Sequence, residues 1–178
     1  MKKSVALILA KSKSNRLPNK NILPFKGKPM FVENLEKCLD IFDEVYVSTD
    51  SEEIAQTTLD YSGKVIMRDE SLCGETPNID VYNHALSFFN ADYIVAVQAN
   101  SPTVDREKIM LVKRIMDFGV EEVKTCHEDK KDYGSIWAIT TDKIKNYPDP
   151  YNAKPEVWVV DNSIDIHTLE DYNKVIWT

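Results

Sequence analysis

Apolar residues fall along this chain in short blocks of two kinds. Runs at 5–10, 45–48, 64–67 and 93–97 are four to six residues long, rich in Val and Ile, and bounded by polar or turn residues. That is the pattern of strands buried in a sheet, and the run at 93–97, the most apolar, is expected at its centre. Other blocks repeat at helical spacing. Apolar residues near positions 31, 32, 35, 38 and 39 follow Pro29, which suits a helix start, and predict an amphipathic helix over 29–39. Helices are also expected at 52–61 (capped by 49–51), at 78–89 (capped by Asn78), and at 105–118, 141–147 and 169–176. Further strands are predicted at 122–126, 134–139 and 156–160. Strands alternating with helices in this way predict an α/β fold with a doubly wound, mostly parallel sheet in three layers, α/β/α. No repeat, low-complexity stretch or linker divides the sequence, and 178 residues with 43% hydrophobic content suit one domain spanning 1–178.

Charge is segregated. The first 32 residues carry eight Lys and Arg and no Asp or Glu, although the whole chain has a formal net charge of -7 and a pI near 5.0. The cations cluster after the first strand as Lys11, Lys13, Arg16 and Lys20, among Ser12, Ser14 and Asn15. Such concentration points to a local anion, because a surface that tracks nucleic acid needs broad positive charge. In open α/β sheets ligands bind outside the carboxyl ends of the strands, where this loop would lie. Neither the Walker A pattern nor GxGxxG occurs in it, so phosphate would be held by Lys and Arg side chains with help from Ser12, Ser14 and backbone N–H groups. A solvated basic edge is the alternative reading of the same composition. Arg68, after the third strand, and residues 98–102, after the fourth, are expected at the same edge.

The remaining features mostly exclude. Cys38, Cys73 and Cys126 are odd in number and lack CxxC spacing, so neither a disulfide framework nor a zinc site is predicted, and a cytoplasmic setting is expected. The N-terminal apolar run is shorter than a secretory leader needs and reads as a strand, and no run approaches the roughly 20 apolar residues of a membrane span. His84 and His127 read as structural, and Trp137, Trp158 and Trp177 as core or edge packing.

The run from Ala10 to Asn21, AKSKSNRLPNKN, resembles the signature of acylneuraminate cytidylyltransferases, the enzymes that make CMP-sialic acid, approximately A-R-x-x-S-K-x-L-P-x-K-N. Further stretches match in order: VSTD at 47–50, Arg68 with 70–76, QANSP at 98–102, GSIW at 134–137 and SIDIHT at 163–168. The resemblance implies a Rossmann-like nucleotidyltransferase fold. It also implies a reaction in which the anomeric hydroxyl of an acidic keto-sugar, sialic acid or a related nonulosonic acid, attacks the α-phosphorus of CTP and releases pyrophosphate. Lys11, Arg16 and Lys20 would hold the triphosphate and act in catalysis with Asp165. Ala10, Lys11, Ser14, Asn21, Arg68, Thr76 and Asn78 would bind the nucleotide, and Gln98 and Ser101 the sugar. Asp165 and His167 would hold a divalent cation, Mg2+ in the family.

The chain departs from the family in three places. The family's Asp-Ile-Asp is Asp165-Ile166-His167 here, and His is a poor Mg2+ ligand but a good one for Zn2+, Mn2+ or Co2+. One carboxylate with water, a different metal, and impaired catalysis are therefore all open. Lys11 stands where the family has Arg, keeping the charge but losing the bidentate fork, and the Arg16-Leu17-Pro18 order is found in relatives that use an eight-carbon sugar acid. Between Pro102 and Gly134 the family carries an excursion that reaches over a partner subunit. Residues 126–133 are too few for it, so a monomer or a weak, atypical homodimer is expected. A catalytically weakened nucleotide-binding protein, or a sugar nucleotidyltransferase of different nucleotide specificity, are the alternative functions.

Overall fold

Backbone N–H and C=O groups taken out of water must find partners, and the apolar runs satisfy each other's. In the computed structural model, which describes residues 2–128 and 134–176, the strands are β1 (Ser4–Leu9), β2 (Pro24–Phe25), β3 (Lys28–Pro29), β4 (Val45–Thr49), β5 (Lys64–Met67), β6 (Tyr93–Gln98), β7 (Glu122–Cys126), β8 (Ile136–Thr140) and β9 (Val157–Val160). The helices are α1 (Met30–Leu39), α2 (Glu52–Asp60), α3 (Asn78–Ala85), α4 (Arg106–Asp117), α5 (Thr141–Lys145) and α6 (Leu169–Ile176). The main sheet has the order β5-β4-β1-β6-β8-β7-β9, with β8 antiparallel to both neighbours and every other pairing parallel. The most apolar strand, β6, is central.

Successive side chains of a strand point to opposite faces, so a strand buried on both sides must be apolar at every position. β1 shows this. Its Ala6 and Ile8 pack with Phe31 and Leu35 of α1, Ile54 of α2 and Ile109 of α4, while Val5 and Leu7 pack with Ile79 and Tyr82 of α3 and Ile144 of α5. Burying each aliphatic side chain contributes about 1.5–3 kcal/mol, and the two faces together make the three-layer arrangement. A third, smaller cluster of Leu17, Phe25, Met30, Ile166 and Val175 joins the basic loop to the C-terminal segment.

Several boundaries differ from the sequence reading, each for a local reason. Pro29 lies in the β2–β3 hairpin, whose turn residues Lys26 and Gly27 have φ of 49° and 80°, the positive values a tight two-residue turn requires. α3 stops at Ala85 because the chain tightens, with the N–H groups of Ser87 and Phe88 donating to the carbonyls of His84 and Ala85 three residues back. Ser51 alone caps α2, its hydroxyl accepting from the Ile54 N–H at 3.3 Å. β8 begins after Gly134, which lies so close to Thr125 that a Cβ there would come within 1.8 Å of the Thr125 carbonyl oxygen. Of the segment 126–133, residues 129–133 lie outside the described residues, as does Trp177. Among the described residues no helix is long and apolar enough to cross a membrane.

Asn34 is fully buried in α1, and its amide donates to the Gln98 and Ser101 carbonyls, both at 2.9 Å. It clamps the turn after β6 from below. Asn34→Ala would remove both bonds and leave the Gln98 and Ser101 carbonyls only the N–H groups of Ser101 and Val104, each at 3.2 Å, so it should lower stability by about 1–3 kcal/mol in urea unfolding, at about 0.5–1.5 kcal/mol net per bond lost. A change under roughly 0.5 kcal/mol would mean that the clamp is dispensable.

Candidate active site

Parallel strands end at one edge of a sheet, so β1, β4, β5 and β6 deliver the residues that follow them to a common place. β1 lies between β4 and β6, where the strand order reverses, and the basic loop leaves from its end. That loop has a fixed shape without glycine. The Ser12 N–H and hydroxyl both donate to the Asp50 carboxylate, at 2.7 and 2.6 Å. Burial alone would raise the Asp50 pKa, but the bonds from Ser12, together with the Asp50 backbone N–H and the Arg68 cation, hold the group below its ordinary value. The buried Asn21 amide donates to the Lys11 carbonyl at 2.9 Å, joining the two ends of the loop. Leu17, at its middle, is buried in the third cluster.

Under the loop lies a polar cavity of about 130 Å³. Lys11, Ser14, Lys20 and Asn21 line it from the loop, Arg68 from the end of β5, Thr76 and Asn78 from the start of α3, and Gln98 from the end of β6. Lys11 Nζ points at the Cys73 and Gly74 carbonyls, at 3.4 and 3.3 Å. Burial, reinforced by the Arg16 and Lys11 cations and opposed by Asp165, pushes the Lys20 pKa down to about 8. Arg68 is 8% exposed, and its Nε has no hydrogen-bond partner among the described residues. Burial also lowers its pKa. A buried guanidinium nitrogen left unpaired is costly and seeks an acceptor.

The cavity opens into a wider cleft of about 540 Å³, which shares Thr76, Asn78, Gln98 and Asn100 with it and adds Arg16, Asp165, His167, Lys124, Trp137 and Tyr151. Trp137 is held by its ring N–H, which donates to the buried Glu122 at 3.0 Å, and Lys124 Nζ lies 4.5 Å from its ring centroid. The segment carrying Asp165 is pinned by the Ile166 N–H, which donates to the Asn100 carbonyl at 2.8 Å. Asp165 accepts a short hydrogen bond from the Ser101 hydroxyl. Arg16 Nη2 lies 2.9 Å from His167 Nδ1, and burial together with the Lys20 and Arg16 cations lowers the His167 pKa.

Two residues expected to touch ligand are set back from the cavities. Ala10 is fully buried just past the end of β1, its N–H donating to the Ser48 carbonyl, and Ser101 is fully buried behind Asp165. Asp50, Asn34, Asn100 and Glu122 were not foreseen as site residues. Two of them had a signal: Asp50 in the VSTD stretch, where it reads as part of a helix cap, and Asn100 in the QANSP stretch expected at the same edge. His127 borders an outer hollow of about 810 Å³ that reaches Arg16, Asp165 and His167 from the other side.

Among the described residues no three His, Cys, Asp or Glu side chains gather as a metal site. Mg2+ is commonly held by one or two carboxylates with substrate phosphates and water, and Asp165 beside a basic loop fits that donor set.

The sequence profile of the cytidylyltransferase family matches residues 5–143. Pseudaminic acid cytidylyltransferase of Campylobacter jejuni is 32% identical over 114 residues, 59% of this chain and 49% of that protein. 3-Deoxy-manno-octulosonate cytidylyltransferase of Psychrobacter cryohalolentis is 30% identical over 145 residues, 80% of this chain and 54% of that one. The chain thus spans about half the length of the curated relatives it matches. Its fold is similar to that of CMP:2-keto-3-deoxy-manno-octonic acid synthetase solved with CTP, with a TM-score of 0.80 and 20% identity over 98% of this chain and 97% of that one. With the profile spanning most of its length and the site at the carboxyl edge where it is expected, this chain belongs to the cytidylyltransferase family.

Proposed function

We propose that this protein transfers CMP from CTP to the anomeric hydroxyl of an acidic keto-sugar, a nonulosonic or octulosonic acid of the kind named for its relatives. The observation that carries this reading is Arg68, buried with Nε unpaired in a cavity it shares with Lys11, Lys20 and Asn21. A nucleotide supplies what that cavity lacks. Base and ribose atoms can accept from Arg68 and meet Thr76 and Asn78, while the triphosphate meets Lys11, Lys20 and Arg16.

In the reaction the sugar oxygen bonds to the α-phosphorus as the bond from that phosphorus to the pyrophosphate oxygen breaks, and the hydroxyl proton passes to water. Such transfer needs positioning and charge neutralisation rather than a protein nucleophile. Lys11, Lys20 and Arg16 supply the neutralisation. Gln98 and Trp137 face the sugar across the wider cleft, with positive charge from Arg16 and Lys124 for its carboxylate. A divalent cation such as Mg2+, held at Asp165, would add Lewis-acid polarisation of the phosphates. The short 126–133 segment supports a monomer or weak homodimer. One observation favours a second reading: the family's second carboxylate, two residues after Asp165, is replaced by His167, as in a nucleotide-binding protein of weakened catalysis.

Two outcomes are expected. Lys20→Ala should weaken CTP binding by about 1.5–3 kcal/mol, the usual loss for a charge-assisted bond. Lys20 in the ligand-free protein titrates near pH 8, and a bound triphosphate raises its pKa again. Wild-type affinity should therefore fall as pH rises through 8, with proton uptake on binding that Lys20→Ala abolishes. Calorimetry in buffers of different ionisation enthalpy reads both effects, and affinity flat from pH 7 to about 9.5 would remove Lys20 from the site.

Asp165→Asn should abolish CMP transfer while leaving the fold and most of the CTP affinity intact, measured by pyrophosphate release beside calorimetry. Retained turnover would move the catalytic carboxylate elsewhere. If the wild type binds CTP but transfers CMP to no acidic keto-sugar, the second reading stands.

A further inference from the structure

We infer that His167 is a positioning residue that holds the Arg16 guanidinium at the phosphate-binding loop and is not a ligand to the metal; the inference rests on the function proposed above. Arg16 Nη2 and His167 Nδ1 are 2.9 Å apart. A guanidinium has only donors and keeps its charge at any accessible pH, so Nδ1 must be the acceptor and the single ring proton must sit on Nε2. The Nδ1 lone pair is then spent on Arg16. A metal at Nδ1 would compete for that lone pair. A metal at Nε2 would require the proton to move to Nδ1, where two donors would face each other.

The pairing is built by the fold. Arg16 precedes Leu17 and His167 follows Ile166, and these apolar neighbours are buried in one cluster with Met30 and Val175. Burial thus brings together two segments 151 residues apart and sets their adjacent side chains beside each other. The backbone at His167 is also fixed, because its N–H and that of Thr168 donate to the Asp171 carboxylate at 3.1 and 2.9 Å. Thr168 and Asp171 cap α6 reciprocally, the Thr168 hydroxyl accepting from the Asp171 N–H at 3.2 Å.

A neutral acceptor also does what a carboxylate could not. Asp at position 167 would bind Arg16 more tightly but cancel its charge. His orients the fork and leaves the full positive charge facing the phosphates. The departure from the family's Asp-Ile-Asp is on this view coupled to the arginine at position 16.

The pairing is read first without nucleotide, by long-range 1H–15N NMR of the His167 ring. The Nε2–H tautomer is expected in the wild type, relaxing to a mixture in Arg16→Met. An Nδ1–H tautomer in the wild type would overturn the inference whether or not CTP binds. With CTP, His167→Ala should weaken nucleotide affinity roughly tenfold, as expected when a bond to a charged group is lost. His167→Asn, which keeps an acceptor near the Nδ1 position, should restore most of that affinity. In the Arg16→Met background His167→Ala should cost nothing further. Mn2+ affinity of the CTP-bound protein, read by electron paramagnetic resonance, should change less than about twofold in His167→Ala. A large loss of Mn2+ affinity with nucleotide affinity unchanged would show that His167 is a metal ligand and overturn the inference. No CTP binding by a wild type with the Nε2–H tautomer intact would overturn the proposed function and leave the pairing standing.

Discussion

Parallel pairing of β1 with β6, in register from Ser4 opposite Tyr93 to Leu9 opposite Gln98, is the interaction on which the site depends. It sets the end of the strand that launches the basic loop beside the end of the strand that carries Gln98, Asn100 and Ser101. Because β4 and β5 continue the sheet in parallel on the other side of β1, Asp50 and Arg68 arrive at the same edge. The pairing is stable because both faces of β1 are buried, and a one-residue slip would exchange every core contact of Val5 to Ile8.

On that frame the loop has to gather like charges without glycine. Its means are local and named: Asp50 takes both Ser12 donors, Asn21 ties back to Lys11, and Leu17 is anchored in the cluster with Ile166. The cost of gathering and burying these cations shows in the pKa of Lys20, lowered by burial and then by Arg16 and Lys11, and in the buried Arg68 Nε, which has no partner among the described residues. Both are unfavourable in the ligand-free molecule, and on the proposed reading a nucleotide relieves both, its triphosphate at Lys20 and its base or ribose at Arg68. Strain of this kind at a site, compensated by the packing around it, is common where binding has to be strong and local.

Much of this was legible in the sequence, because the signals were periodic or local. Apolar runs of four to six residues marked the strands, and the unopposed cations of residues 1–32 marked the loop. Arg68 and Gln98 followed from their places at strand ends, while Thr76 and Asn78, which line the same cavity, came from the family resemblance. Contacts between distant segments were not legible. Asp50 reads as a helix cap until Ser12 is brought beside it, and Asn34 is only a polar residue within a predicted helix until its two carbonyl partners 64 and 67 residues away are placed. Glu122 shows nothing in sequence of the Trp137 and Tyr147 donors that it holds, and His167 could be weighed only for or against a metal until Arg16 stood opposite it. Ala10 and Ser101 show the converse, since motif position alone does not tell a wall residue from one buried behind it.

The central claim is that the cavity beneath the loop is a cytidine nucleotide site. Thermal shifts of the ligand-free protein with CTP, UTP, GTP and ATP at equal concentration, each with Mg2+, test it directly, because a ligand that binds only the native state raises its melting temperature. CTP should give the largest shift: a small polar cavity favours a pyrimidine over either purine, and the Arg68 donors match the N3 acceptor of cytosine, which in uracil is an N–H donor. Equal shifts with all four nucleotides, or none with CTP, would contradict it.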